Sequence, residues 1–278
     1  MTDPRRVAKH DPATAIAPLF RPLQKSRAAR PKLDIRQEFN QTTIWYRGPD
    51  ALGVCDQTVL FAVLYLSQRN GRELLPSTDG RYTRQALQDL LPVSGGYAPR
   101  TVYVDTTLYA ILQVANMADD GRSYAQVREC IDRLAAVTVF VNRHGVSTPP
   151  MRLLSRIIKD DGHIKIALNE RLAMAFAHQY VEVDLEERQL LHTDAAKILH
   201  AYLSATLRRG GMFKYTVDTL AFHIYGENNP KKDLRRKRRE RTREALKSIS
   251  QLPGWAASMS NGIAYVSRGS GEGSTGTP

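Results

Sequence analysis

Between Lys231 and Arg243 the chain reads KKDLRRKRRERTR, nine cations against two acids in thirteen residues. Lys231, Lys232, Arg235, Arg236, Lys237, Arg238, Arg239, Arg241 and Arg243 at helical spacing repel one another unless a polyanion lies against them. Solvated helix surfaces usually mix signs. A run of one sign points to nucleic-acid phosphate, with a localisation-type patch or an acidic partner as the other readings. The remaining chemistry-bearing residues form no catalytic pattern. The seven histidines give no H-x-H, no H-E-x-x-H and no cysteine pairing at zinc spacing. No phosphate-gripping G-x-x-x-x-G-K-[ST] loop occurs, and the Gly-rich 271–276 follows no strand–helix unit. Asp119-Asp120 and Asp160-Asp161 read as turn formers beside glycines. Cys55 and Cys130 read as buried structural thiols without a positive cluster. The twelve tyrosines leave a nicking enzyme as a remote alternative.

The basic run must sit on a helix. Asn229 is expected to cap it, with Pro230 at its first position, and Pro253-Gly254 to stop it. Its second half repeats Leu246, Ile249 and Leu252 on one side with Ala245, and Leu234 and Thr242 extend that side upstream. So the C-terminal half is expected to pack on a core while the basic half projects. Upstream lie two more helices, about 193–209 and 216–225. Downstream, short alternating strands flank Asn261-Gly262, a strong hairpin signal. Helix, helix, basic helix and hairpin is the order of a winged helix-turn-helix, whose third helix enters the major groove.

The same order is legible earlier. Helices are expected at 54–68, 106–114 and 123–136, followed by a strand at 137–142, a turn at Arg143-His144-Gly145, and a hairpin around Asp160-Asp161-Gly162. On the third helix Val127, Cys130, Ile131 and Leu134 point inward. Arg122, Ser123, Tyr124, Gln126, Arg128 and Arg133 are left as candidate DNA contacts, Gln126 being the best adenine reader by chemistry. Arg143, His144 and Asn261 are candidates at hairpin tips. Residues 69–105, punctuated by Gly and Pro, read as an inserted loop.

The chain has 278 residues and 42% hydrophobic content, enough for two modest cores. Its net charge of +12 is localised: 231–243 carries +7, residues 1–32 carry +6, and the rest is nearly neutral. That is a DNA-binding footprint. The expected organisation is α+β, with two tandem winged helix-turn-helix domains. A mostly irregular basic arm spans 1–32, the first domain 33–190 and the second 191–268. A disordered tail spans 269–278. No apolar run is long enough to cross a membrane and no leader is evident, so a cytoplasmic, non-enzymatic protein without cofactor or metal is expected.

Several segments resemble one family. HDPATAIAPLFRPLQK with PKLDI, YAQVRECIDRLAAVTVF with MRLLSRI, and RRKRRERTREALKSISQLPGW are similar to the RepC replication initiators of IncQ-type broad-host-range plasmids. The similarity covers about residues 9–268 and rests on order and spacing. It implies two winged-helix domains that bind repeated origin sites (iterons), help open adjacent A·T-rich DNA, and help load a hexameric helicase and a primase. It places the recognition helices at Ser123–Arg133 and Lys231–Arg243. A transcriptional repressor of the same fold is the main alternative.

Overall fold

The computed structural model describes residues 5–23, 29–74, 81–90, 101–158, 163–176, 179–228 and 230–270. The chain opens with strand β1 (Val7–His10) and short helix α1 (Pro12–Ile16), capped by Asp11, which accepts the Thr14 N–H at 2.8 Å. β2 (Leu33–Phe39) and β3 (Thr42–Gly48) form a hairpin, and α2 (Val54–Asn70) follows. α2 is buried on every side from Val59 to Leu66, so it is the axis of the first core rather than an amphipathic surface helix. Next come β4 (Arg72–Leu74), α3 (Arg81–Leu90), β5 (Thr101–Thr107), α4 (Leu108–Ala115) and α5 (Gly121–Ala136). Then follow β6 (Thr138–Arg143), β7 (Val146–Ser147), β8 (Met151–Arg152), β9 (Leu154–Ile158), β10 (His163–Leu168), α6 (Glu170–Met174), β11 (Val181–Asp184) and α7 (Leu185–Gln189). The last elements are α8 (Asp194–Thr206), β12 (Met212–Thr216), α9 (Val217–Tyr225), α10 (Lys232–Ile249), β13 (Trp255–Ser260) and β14 (Ile263–Arg268).

The fold is mixed α+β, and one connection pattern occurs in it twice. In the C-terminal part the order is α8, β12, α9, α10, β13, β14, with the strands arranged β12-β14-β13. In the N-terminal part the order is α2, β5, α4, α5, β9, β10, with β5-β10-β9 arranged the same way and β4 added at the edge. The strand before each second helix thus pairs with the last strand of a hairpin. Between α5 and β9 the first copy carries an insertion, β6 to β8, which joins β2 and β3 in a separate sheet ordered β2-β3-β6-β7 with β8 on β6.

The cores follow the pattern. The larger gathers α2, α4 and α5 with Val104, Ile164 and Ile166, and it includes Val127, Cys130, Ile131 and Leu134, all at 0% exposure. A second runs from Leu191 to Val266 through Leu199, Leu203, Leu220, Ile224, Leu246 and Ile249, and a small third joins Ala86 and Leu90 to Ile157 and Ala167.

Four expectations need correcting. The N-terminal segment is not an irregular arm: β1 pairs with β11, and Ala8, Ala13, Leu19 and Phe20 are buried in the larger core. Small and apolar residues between its prolines supply burial that outweighs the broken helix periodicity. Residues 69–105 are not simply a loop. β5 is the inner partner of β10 and β4, and Val104 is fully buried; residues 75–80 and 91–100 lie outside the described ones. α10 begins at Lys232 with Lys231 at its N-cap, and Asn229 lies outside the described residues. Leu234 does not extend the packed side of α10; it is 42% exposed. The Asp160-Asp161-Gly162 turn and most of the 269–278 tail also fall outside.

Candidate nucleic-acid interface

α10 divides as its sequence does. Thr242, Ala245, Leu246 and Ile249 are buried, while the first half projects. Thr242 returns its hydroxyl hydrogen bond to the Arg238 carbonyl at 2.8 Å, so even its polar inner residue is satisfied. Lys232, Arg235, Arg236, Arg239 and Arg243 are spaced +3, +4, +7 and +11 and line one open groove along the helix. Asp233 is the acid beside them.

The nine cations are not equivalent. Arg239 is held by Asp218 at the start of α9, through contacts of 2.7 and 2.5 Å. Arg238 turns to the other flank. It donates to Glu227 at 2.6 Å, lies 4.9 Å from the Tyr225 ring centroid, and keeps only 15% of its side chain exposed. Burial raises the Tyr225 pKa, and the Arg241 and Arg238 charges oppose that rise. Lys231, Lys232, Arg236, Lys237 and Arg243 are exposed, Arg235 half so, and none of them has an ion-pair partner among the described residues. Arg235 and Arg243 nevertheless contribute, behind the Arg239 hydrogen bonds, to holding the Asp218 carboxyl below its usual range.

On α5 Arg122, Gln126 and Arg128 are exposed and Tyr124 is half-buried. The neighbouring Asp119 carboxylate raises the Tyr124 pKa. Asp120 caps the helix by accepting the Ser123 N–H at 2.7 Å, which lowers the Asp120 pKa. Two of the predicted contacts are displaced inward. Ser123 is buried behind that cap. Arg133 donates to the fully buried Asp56 at 2.8 Å, with Glu129 at 3.4 Å, because a buried carboxylate at the start of α2 needs a charged partner. Asp56 takes a second guanidinium from Arg30 at 2.8 Å and caps Gly53 N–H at 2.7 Å. The exposed α5 face is therefore mixed in sign, Arg122 and Arg128 against Asp119, Asp120 and Glu129, while that of α10 is basic.

Asn261 and Gly262 have φ of 49° and 78° at the β13–β14 tip, the left-handed pair a two-residue hairpin requires. His144 and Gly145 repeat this at the β6–β7 tip, with φ of 51° and 81°, and Arg143 and His144 are exposed there. That tip belongs to the inserted sheet. By connection the counterpart of the Asn261 turn is the β9–β10 turn, outside the described residues.

A cationic aromatic surface escaped the sequence reading. Register aligns Arg36, Trp45 and Phe140 across β2, β3 and β6. Both Arg36 and Arg47 lie 4.5 Å from the Trp45 ring centroid, and Trp45 Nε1 donates to Asp34 at 2.5 Å. The signal was the alternation of charge with apolar residues in LDIRQEF, which puts Asp34 and Arg36 on one face.

The two larger cores meet at a buried polar hub. Glu187 on α7 accepts from His200 Nε2 at 3.0 Å and Trp255 Nε1 at 2.9 Å, with Arg268 at 3.7 Å and Arg5 also paired to it. Burial alone would raise the Glu187 pKa, but those hydrogen bonds and charges hold it down to about 2.

The sequence matches the family model of Replication protein C (RepC) over residues 4–267, and the chain belongs to that family. Its fold is similar to a crystal structure of selenomethionine derivatives of domains 2 and 3 of RctB, with a TM-score of 0.51 and 13% identity, covering 92% of this chain and 96% of that one. A second crystal structure of RctB domains 2–3 aligns with a TM-score of 0.49, 13% identity, and coverage of 92% and 95%. At such identity the likeness is one of fold. No curated protein matches the chain. No helix among the described residues is long and apolar enough to cross a membrane.

Proposed function

We propose, with membership of the Replication protein C family as the premise, that the chain is a cytoplasmic, non-enzymatic plasmid replication initiator that binds repeated origin sites as double-stranded DNA. The two copies of the connection pattern are read as two winged-helix modules. α5 and α10 are their recognition helices, and the Asn261 tip is the second wing. The observation that carries this reading is the stripe of Lys232, Arg235, Arg236 and Arg243, which have no ion-pair partner among the described residues and lie on the projecting half of a helix whose other half is firmly packed. Unpaired cations in a row along one helix fit a duplex backbone and groove edge. Arg239, Lys231, Lys237 and Arg241 add to the local field. Arg122, Gln126 and Arg128 are the contacts retained for α5, and Arg133, Ser123 and Arg238 are reassigned to structure.

Two modules joined through a buried hub suit two adjacent major-groove segments, about 34 Å apart, within a site of roughly 20 bp. Opening of A·T-rich DNA and recruitment of a helicase and primase extend the proposal from the family resemblance. A footprint on the DNA flanking the protein's own gene tests it. Several evenly spaced protections are expected. One isolated protection over a promoter would instead mark a repressor. A nick or a covalent tyrosine–DNA product on a denaturing gel would refute the non-enzymatic reading.

A further inference from the structure

Cys55 and Cys130 are 75 residues apart in sequence, yet their Sγ atoms lie 3.2 Å apart, both as free thiols. Cys55 is the second residue of α2, at the positive end of a 17-residue helix, and is partly exposed. Cys130 lies behind it on α5, buried. The Arg133 guanidinium donates to Cys130 Sγ at 3.2 Å while it holds Asp56 at 2.8 Å. The sequence around Cys130 carries no positive cluster, but the fold turns the Arg133 guanidinium onto its sulfur.

The arrangement separates the two roles a redox pair needs. The Cys130 thiol donates to Cys55, which lowers the Cys55 pKa and raises that of Cys130. Burial and the neighbouring Asp56 carboxylate oppose that lowering, and the charges of Arg133 and Arg30 add to it. A partly exposed thiolate at a helix N-terminus is the form that reacts with peroxide. The second sulfur waits in contact behind it.

We propose that Cys55 and Cys130 form a reversible intramolecular disulfide when the protein meets hydrogen peroxide, stapling α5 to the start of α2. The Cys55 thiolate attacks one peroxide oxygen, and the O–O bond breaks. Hydroxide leaves and takes up a proton as water, and Cys55 becomes a sulfenic acid. Cys130 Sγ then attacks Cys55 Sγ, the S–O bond breaks, and the departing hydroxide leaves as water with the Cys130 proton. Two thiols and one peroxide give one disulfide and two waters; a dithiol reductant reverses it. An S–S bond of about 2.05 Å brings the sulfurs closer by roughly 1.1 Å. That shift acts on α5 one turn from Gln126, so the staple links the redox state to the placement of a proposed DNA-reading helix. This last step rests on the reading of α5 given above; the disulfide itself does not.

Intact mass of the full chain after stoichiometric hydrogen peroxide tests it. The expected result is a loss of 2 Da, restored by dithiothreitol, with no dimer on a non-reducing gel. Cys55→Ser and Cys130→Ser show no such loss, and Cys130→Ser yields a dimedone adduct on Cys55. Peptide mapping after alkylation reads the same linkage in the unaltered protein if either variant misfolds. A gain of 16 or 32 Da without the 2 Da loss, or two thiols that alkylate as fast after peroxide as before, overturns the disulfide. For a DNA fragment bound by the reduced protein, oxidation is expected to change affinity at least threefold. Unchanged affinity with the disulfide formed overturns the link to α5, whereas a reduced protein that binds no DNA overturns the functional reading and leaves the disulfide result standing.

Discussion

Arg239 on α10 and Asp218 on α9 form a two-pronged ion pair, 2.7 and 2.5 Å between guanidinium and carboxylate. It is exposed, so it contributes only about 0–1 kcal/mol to folding. Its larger effect is on charge: it neutralises one arginine in the middle of the stripe.

Asp218→Asn frees Arg239 and removes the negative charge paired with it. The variant is expected to bind duplex DNA of any sequence several-fold more tightly. The slope of log affinity against log salt should steepen by about one unit. Urea midpoints should stay close to those of the unaltered protein. Titrations at three salt concentrations read this directly, and an unchanged slope would place Arg239 away from the phosphates.

Alanine substitution at Lys232, Arg235, Arg236 and Arg243 should sort the stripe. A residue on phosphate loses affinity uniformly across sequences and flattens the salt slope by about one unit. A residue bidentate to guanine costs about 1–3 kcal/mol and relaxes specificity at one base pair. If all four variants bind as before, α10 does not face DNA.

Much of this surface could be read before the fold was known, because its signals are local. The packed half of α10, the inner face of α5 and the Asn261-Gly262 turn each follow from residues within a few turns of one another. What escaped depended on distant pairing. β1 has four residues and gains its partner in β11 more than 170 residues later, so no local pattern marks it. β5 is hidden because Gly and Pro punctuate the sequence before it, although it lies inside a sheet. Arg133 has the spacing of an exposed contact; only the approach of Asp56, 77 residues away, draws it inward.

Arg133 and Arg128 therefore separate folding from binding on one helix. Arg133→Ala leaves the buried Asp56 with Arg30 as its remaining cation and is expected to destabilise the fold by about 1.5–3 kcal/mol. Arg128→Ala should leave the melting temperature unchanged while weakening DNA binding. Thermal unfolding and DNA titration of both variants check the pair; equal losses of stability would refute the assignment.

The histidines predict acid lability. Burial holds His10 and His223 down to about 4, against 6.5 for the exposed group, and lowers His200 as well. Between pH 6.5 and 4 the unfolded chain binds protons that the folded chain refuses. Stability should therefore fall as pH drops through that window, by up to about 1.4 kcal/mol per pH unit for each histidine. Urea midpoints at pH 7, 6 and 5 measure the fall. His223→Gln, which removes the ring stacked 3.7 Å from Tyr202, should flatten the dependence even if it lowers stability at pH 7.

Glu187 is the point where the two larger cores depend on one charge. Its carboxylate faces His200, Trp255, Arg268 and Arg5, and Arg268 keeps 4% of its side chain exposed. Because its folded pKa is about 2, Glu187 contributes stability that is fully present above pH 4.5 and fades as pH falls toward 2. Glu187→Gln preserves an acceptor for His200 and Trp255 but leaves the buried Arg268 guanidinium with Asp184 as its remaining counter-charge. Breaking such a pair from one side costs about 3–5 kcal/mol. The loss should centre on β13 and β14, which supply Trp255 and Arg268, so amide exchange there should accelerate more than in α2. A second change, Arg268→Met, removes that buried charge and should recover part of the stability lost in Glu187→Gln. Additive losses in the double variant would show that the two side chains act independently.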